Sequence, residues 1–333
     1  MPPVSAPSKT SPVQQPSPWP TISTTPANAA PSPTFDIIGD MAFGDPFGCL
    51  KNGVFHAWVS LITQTIKAGA YEQATHRMFQ TNSFMQKPLC TSIPSNLREK
   101  RYRHLELSRE SGVSQDEIIL NSALFIVAES ETTASPLSGL LMWLLRTPHA
   151  YTRLTEKIRS NFDSVDTITS QHLQNLTYMN ACIDEALRIF PPVPPGLTRT
   201  VPDHGDTVAG EFLPGGVTVS CHSWAATHSP LNFRRPDEFI PERWIGDAYA
   251  DDNGEASQPF SLGPRGCIGR HLSYPELRLI LGSLLWNFDV ERADLDDPKV
   301  EDVWEPSGDL PRVMSFNTWN EPPLMCRIKA VRR

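Results

Sequence analysis

The run Phe260-Ser261-Leu262-Gly263-Pro264-Arg265-Gly266-Cys267-Ile268-Gly269 constrains this chain more than any other stretch. One thiol is framed by three glycines and an arginine, just ahead of an amphipathic helical stretch. Glycine lacks a Cβ, so Gly263, Gly266 and Gly269 are expected to take left-handed angles and let the backbone lie close to a flat group, with amide N–H groups aimed at the sulfur. Arg265 brings a guanidinium fork suited to a carboxylate. The start of the following helix places positive dipole near the sulfur, which favours the thiolate. An isolated cysteine in a glycine-rich turn is ordinarily a buried structural thiol. The whole frame favours a thiolate ligand held against a flat macrocycle.

The rest of the chain narrows the function classes. Its 333 residues, 39% hydrophobic and 20% charged, can bury a sizeable core. A formal charge of −8 disfavours a phosphate-backbone partner, so nucleic acid is not expected. The six cysteines, Cys49, Cys90, Cys182, Cys221, Cys267 and Cys326, are scattered and form no C-x-x-C pair. That pattern fits reduced thiols better than a disulfide framework or a zinc site. No repeat period is apparent.

Residues 1–34 are rich in Pro, Ser and Thr with almost no large apolar side chains, and are expected to be disordered. They lack the basic end and apolar run of a signal peptide. Nowhere are there about 18 consecutive apolar residues, so no transmembrane helix is expected. Residues 35–333 read as one folded domain. Helices are expected over 35–43 and 56–70, and a basic one with a solvated face over 97–109. Ser114-x-x-Glu117 is a capping box that opens a long helix running to about Arg146 and stopping before Pro148. Further helices are expected over 151–162 and from Tyr178 to just before Pro191-Pro192, with a last one after the Cys267 loop. Between Arg199 and Ser220, Gly and Pro punctuate short β-like runs such as Gly216-Val217-Thr218-Val219-Ser220, and short strands close the chain.

The 260–269 run resembles the haem-binding signature of the cytochrome P450 family, Phe-x-x-Gly-x-Arg-x-Cys-x-Gly, and matches it at every specified position. The resemblance implies a mainly α fold with small β-sheets that binds haem b. Cys267 would be the axial ligand, with Phe260, Gly263, Arg265 and Gly269 around the cofactor. A thiolate is required there because electron density pushed onto iron favours O–O cleavage. Ala128-Glu129-Ser130-Glu131-Thr132-Thr133 resembles the family's oxygen-activation motif, Ala/Gly-Gly-x-Asp/Glu-Thr-Thr, which implies a proton relay by Thr132 backed by Glu131. An arbitrary helical threonine instead bonds back to its own helix. Glu129 stands where the motif has glycine, and its bulk and charge are expected to obstruct the oxygen groove. Pro136 removes the N–H that would bond the Thr132 carbonyl and is expected to kink the helix.

Glu185 and Arg188 share a helix face at i and i+3, which alone signals an ordinary surface pair. Pro241-Glu242-Arg243-Trp244 resembles the family's second cation motif, and the resemblance implies that Glu185, Arg188 and Arg243 form a buried structural triad. Pro194-Pro195-Gly196-Leu197-Thr198-Arg199 is similar to the segment that sets an arginine on a haem propionate, which nominates Arg199. Val219-Ser220-Cys221-His222 is similar to a strand whose histidine approaches a propionate, although a lone histidine is more often a satisfied core residue.

The likeness is nearest to filamentous-fungal members of secondary-metabolite pathways. It implies a monomeric monooxygenase that oxidises an apolar small molecule with electrons from NADPH through a partner reductase. Family members of this kind are anchored on the endoplasmic reticulum, and this chain is expected to be cytoplasmic or peripheral. Roughly the first third of a usual member has no counterpart here, and the junction at Glu110-Ser111 looks short. Pro275, in Arg270-His271-Leu272-Ser273-Tyr274-Pro275-Glu276, falls past the tolerant first turn of a helix beginning near Ile268. Together with Glu129 these departures motivate an alternative, a catalytically silent relative that binds haem weakly or serves as an interaction fragment. A thiol enzyme using Cys267 as nucleophile fits poorly, since no His/Asn partner pattern accompanies it.

Overall fold

The computed structural model describes residues 21–23, 115–293, 314–321 and 324–331. The helices expected over 35–43, 56–70 and 97–109, the capping serine Ser114 and the 110–111 junction lie outside the described residues, as does most of 1–34. Helix α1 spans Gln115–Arg146 and α2 spans Pro148–Asn161. Proline disfavours helical angles in the residue before it, and Thr147 accordingly leaves the helix at φ −121° and ψ 75°. Pro148 then opens α2, where a missing N–H costs nothing. Helix α3, Ser170–Gln174, is a single turn capped by Thr169, whose side chain accepts from the His172 amide. Helix α4 covers Thr177–Ile189, α5 Ser223–Thr227 and α6 Arg270–Asn287. α1 passes through Pro136 and α6 through Pro275 as continuous helices.

The strands are short. β1 (Thr21–Ser23) and β6 (Phe288–Arg292) flank β9 (Met325–Ala330) in an antiparallel sheet of order β1-β9-β6. β2 (Arg199–Thr200) pairs with β5 (Thr218–Val219), β3 (Asp206–Val208) with β4 (Glu211–Leu213), and β7 (Met314–Phe316) with β8 (Thr318–Asn320). This is the mainly helical fold with small sheets that the sequence suggested. β1 corrects one expectation: three residues from the segment read as disordered pair with β9, Ile22 opposite Cys326. Thr21 and Ile22 are both β-branched, so an extended edge strand is open to this stretch.

α4 organises the core. Ten of its thirteen residues are buried, on every side of the helix, so it lies inside the molecule with neighbours all round. Leu140 and Leu144 of α1, Leu154 and Ile158 of α2, and Leu281 and Leu285 of α6 join it in one apolar cluster. α1 comes close because Gly139 has no side chain: a Cβ there would stand 2.6 Å from the Phe190 ring. Trp319 of β8 stacks on the other part of this corner, 4.5 Å from Phe190 between ring centroids, and donates to the Pro191 carbonyl at 2.8 Å. No helix among the described residues is long and apolar enough to cross a membrane.

Gly139→Ala forces the two helices apart at a rigid ring. A loss of about 1–3 kcal/mol in unfolding free energy is expected, measured by urea denaturation.

Candidate functional site

The Cys267 loop is a tight hairpin ahead of α6. The Cys267 amide donates to the Phe260 carbonyl at 2.7 Å and the Gly266 amide to the Gly263 carbonyl at 2.9 Å, around a single 3-10 turn at Gly263–Arg265. The expected glycine angles need correction. Gly263 is left-handed at φ 67°, but Gly266 and Gly269 sit at φ −60° and −78°. Their bare Cα atoms provide room instead. A Cβ on Gly266 would stand 3.2 Å from the Gly263 carbonyl oxygen, and one on Gly269 would stand 3.1 Å from Glu129 Oε2 and 3.7 Å from Cys267 Sγ. The amides of Gly266 and Cys267 are used within the loop rather than on the sulfur. α6 begins at Arg270, two residues later than expected.

The loop fits a flat apolar group bound through sulfur. Cys267 is a free, exposed thiol, flanked by Leu262 and Ile268 at 67% and 83% exposure. The space beside Gly263 is open, with nothing within 4 Å of a Cβ placed there. Arg265 is exposed on the 3-10 turn, and the Phe260 ring lies tilted against Tyr274 at 5.3 Å with the Arg270 guanidinium above it.

Behind the loop, α4 works as a clamp on two sides. The Glu185 carboxylate, wholly buried, accepts from Arg188 Nε and Nη2 at 2.9 Å, Arg243 Nε at 3.2 Å, the Ile240 amide at 2.9 Å and Trp244 Nε1 at 3.0 Å. Arg188 uses all five of its N–H groups, adding the carbonyls of Thr227, Pro236 and Glu238. Arg243 continues to Asp252 at 2.5 Å and to the Arg235 carbonyl. Glu185, Arg188 and Arg243 thus come together as one buried group. From the same helix, Asp184 accepts from the Tyr274 hydroxyl and Asn180 from Arg278 Nε, both at 2.7 Å, which fastens α6.

On α1 the Thr132 hydroxyl donates to the Ala128 carbonyl of its own helix at 2.5 Å. Glu131 is buried and faces Glu321, the residue after β8. Burial pushes the Glu321 carboxyl up to about 8; the Ser135 hydrogen bond opposes the shift and the nearby Glu131 charge adds to it. Leu124 and Ala128, two turns and one turn before Thr132 on the same stripe, are exposed, as is Phe125. Glu129 is turned toward α6, beside Gly269. Arg199 and His222 belong to the β2–β5 unit. Arg199 pairs with Val219, and the Pro194–Gly196 turn packs on Cys221, where a Cβ at Gly196 would overlap the carbonyl oxygen at 1.9 Å. Both side chains are exposed; Arg199 Nη1 donates to the Thr198 carbonyl.

Asp252, Trp244, Tyr274 and Glu276 were not singled out from sequence. Trp244 had a signal, since it adjoins Arg243 in the motif already quoted, and Glu276 is the single acid of α6. Asp252 had none, because a loop nine residues beyond Arg243 has no period to place it.

Comparison with known proteins follows this geometry. A family model described as Cytochrome P450 matches residues 97–311. The cytochrome P450 monooxygenase aba2 of Botryotinia fuckeliana is 38% identical over 330 residues, covering 90% of this chain and 63% of that protein. The cytochrome P450 monooxygenase astJ of Aspergillus oryzae is 40% identical over 320 residues, covering 89% and 62%. The cytochrome P450 monooxygenase ABA2 of Pyricularia oryzae strain Y34 is 38% identical over 334 residues, covering 90% and 79%. The chain thus spans less than two thirds of the length of the first two. A solved structure titled as the cytochrome P450DA heme domain superposes with a TM-score of 0.71 at 19% identity, over 90% of this chain and 66% of that one, and shows the fold.

Removing one member of the buried group leaves an uncompensated charge. Arg188→Ala is expected to cost about 3–5 kcal/mol in chemical denaturation. Asp252 supplies a pH signature. Desolvation acts to raise its carboxyl, but hydrogen bonds from the Arg234 amide and the Arg243 guanidinium outweigh it and hold the group below the usual range. Its contribution is therefore present above the unfolded value of about 3.9 and disappears as pH falls toward the lower folded value. The stability gap between wild type and Asp252→Asn is expected to be widest near neutrality and to shrink below about pH 4, read from urea unfolding at a series of pH values.

Proposed function

The chain belongs to the cytochrome P450 family, and on that premise we propose that it is a haem-thiolate monooxygenase acting on an apolar small molecule. The observation that carries this reading is the exposed Cys267 thiol at the tip of a glycine hairpin, bordered by exposed Leu262 and Ile268. Cys267 Sγ would hold the iron, the Phe260 ring and the space beside Gly263 and Gly269 would receive the macrocycle, and Arg265, Arg199 and His222 would meet its propionates. When bound, a thiolate-ligated haem supplies activation of dioxygen and insertion of one oxygen atom into substrate.

The protein's own groups supply the rest. Thr132 Oγ1, released from the Ala128 carbonyl, is a proton donor at the surface of α1, and Glu131 behind it is the acid that resupplies that hydroxyl. Leu124, Phe125 and Ala128 form an exposed apolar stripe leading to Thr132, which favours an apolar substrate over a charged one. Electrons are proposed to come from NADPH through a reductase, and the fungal relatives named as monooxygenases support a place in fungal secondary metabolism.

The test is the full chain loaded with haem, reduced and exposed to carbon monoxide. A red-shifted Soret band is expected in the wild type and not in Cys267→Ser. With substrate and reductase, Thr132→Ala is expected to keep consuming NADPH while product formation falls about a hundredfold. A wild type without the red-shifted band overturns the reading.

A further inference from the structure

Glu129 stands where the family motif has glycine, and nothing in the proposed chemistry uses it. Glu276 is the single acid of α6 and is equally unused. The fold brings the two together where α1 crosses α6. Both side chains are buried, at 7% and 4% exposure. Glu129 Oε1 accepts from Thr133 Oγ1 at 3.1 Å. Among the described residues neither oxygen of Glu276 meets an N–H or hydroxyl donor; the polar group opposite it is the Glu129 carboxyl. Two carboxyl groups opposite each other away from water cannot both stay ionised cheaply, and a hydrogen bond between them requires a proton on one. Burial, then the hydrogen bond and charge of Glu129, hold Glu276 well above the usual carboxyl range.

We propose that Glu129 and Glu276 form one acid pair sharing a proton, which pins the middle of α1 to the start of α6 and makes Glu129 a positioning residue for the Cys267 loop. Gly269 is the link: the point where its Cβ would stand is 3.1 Å from Glu129 Oε2, 3.7 Å from Cys267 Sγ and 3.9 Å from Ser273 Oγ. The end of the loop therefore rests on the pair through Gly269. Sharing also explains how an acid is accommodated at this position. The two groups carry one negative charge instead of two, and a protonated Glu276 supplies Glu129 with a donor beyond the Thr133 hydroxyl. Only the consequence for Cys267 as a ligand rests on the monooxygenase reading; the pair itself belongs to the haem-free chain.

The test uses the haem-free full chain. At neutral pH the infrared difference spectra of wild type minus Glu129→Gln and of wild type minus Glu276→Gln are each expected to show the same protonated-carboxyl component, which shifts in deuterated water; the Glu321 carboxyl, pushed up to about 8, contributes equally to every sample and cancels. Amide exchange of residues 266–273 is expected to accelerate about tenfold in Glu129→Ala and in Glu276→Ala, with the double variant no faster than either alone. Glu129→Gln, which keeps a hydrogen-bonding amide, is expected to exchange within about twofold of wild type. A difference spectrum without that component for either glutamine variant, or alanine effects that multiply, overturns the pair. Because the glutamine variants preserve size and polarity, the infrared result decides even if an alanine variant does not fold. Wild type that shows the band and the coupling but no red-shifted Soret after haem loading keeps the pair and loses the monooxygenase reading.

Discussion

A carboxylate taken out of water must recover its hydrogen bonds from the protein, and Glu185 recovers five, from Arg188, Arg243, Trp244 and the Ile240 amide. Those donors lie on α4 and on the segment around residues 240–244, so burying one acid fixes two distant stretches of chain against each other. Arg188 extends the same demand to the carbonyls of Thr227, Pro236 and Glu238. The loop stretch from Thr227 to Trp244, which has little regular structure, is thereby held by side chains instead of by a sheet. Such a group is not a large net source of stability, since desolvation offsets much of its attraction. Its effect is uniqueness: few other arrangements satisfy ten charged hydrogen-bond positions at once.

The Cys267 loop depends on this in turn. Its hairpin has two internal amide bonds among the described residues and is exposed, so its place is set from behind by α6, and α6 is tied to α4 through Tyr274–Asp184 and Arg278–Asn180. One face of α4 holds the charged group and another the ligand helix. Apolar packing supplies the remaining rigidity, with Gly139 letting α1 approach Phe190 and Gly282 letting α6 approach Leu173. The exposed Cys267 thiol thus stands on a rigid support while its own surroundings stay open, which agrees with the proposed haem-thiolate reading.

Much of this was legible in the residues. The 260–269 motif, the ends of α1 and α4, and the pairing of Glu185 with Arg188 all follow from local rules: prolines that end helices, i and i+3 spacing, and glycines at a turn; α2 instead begins at Pro148, three residues before the expected start at Tyr151. Proline stops were read almost to the residue because they act through covalent geometry. The interior prolines were harder. Pro136 and Pro275 each remove one helical hydrogen bond, yet α1 and α6 run on, because tertiary contacts on the neighbouring turns outweigh one lost bond. The glycine angles at 266 and 269 were misread for a related reason: absence of a Cβ can serve space as well as dihedral freedom, and only the neighbours tell which.

Sequence alone determined the lineage, the ligand cysteine to be tested and the order of the helices, since these reside in nearest-neighbour chemistry along the chain. Tertiary structure decided what each polar side chain meets. Asp252 completes the charged group from a loop without any periodic signal, Glu131 lies near Glu321 across almost two hundred residues, and Glu129 on α1 lies opposite Glu276 on α6. A buried acid's character depends on the donor or acid opposite it, and that neighbour is chosen by how helices cross, not by the residues beside it in the chain.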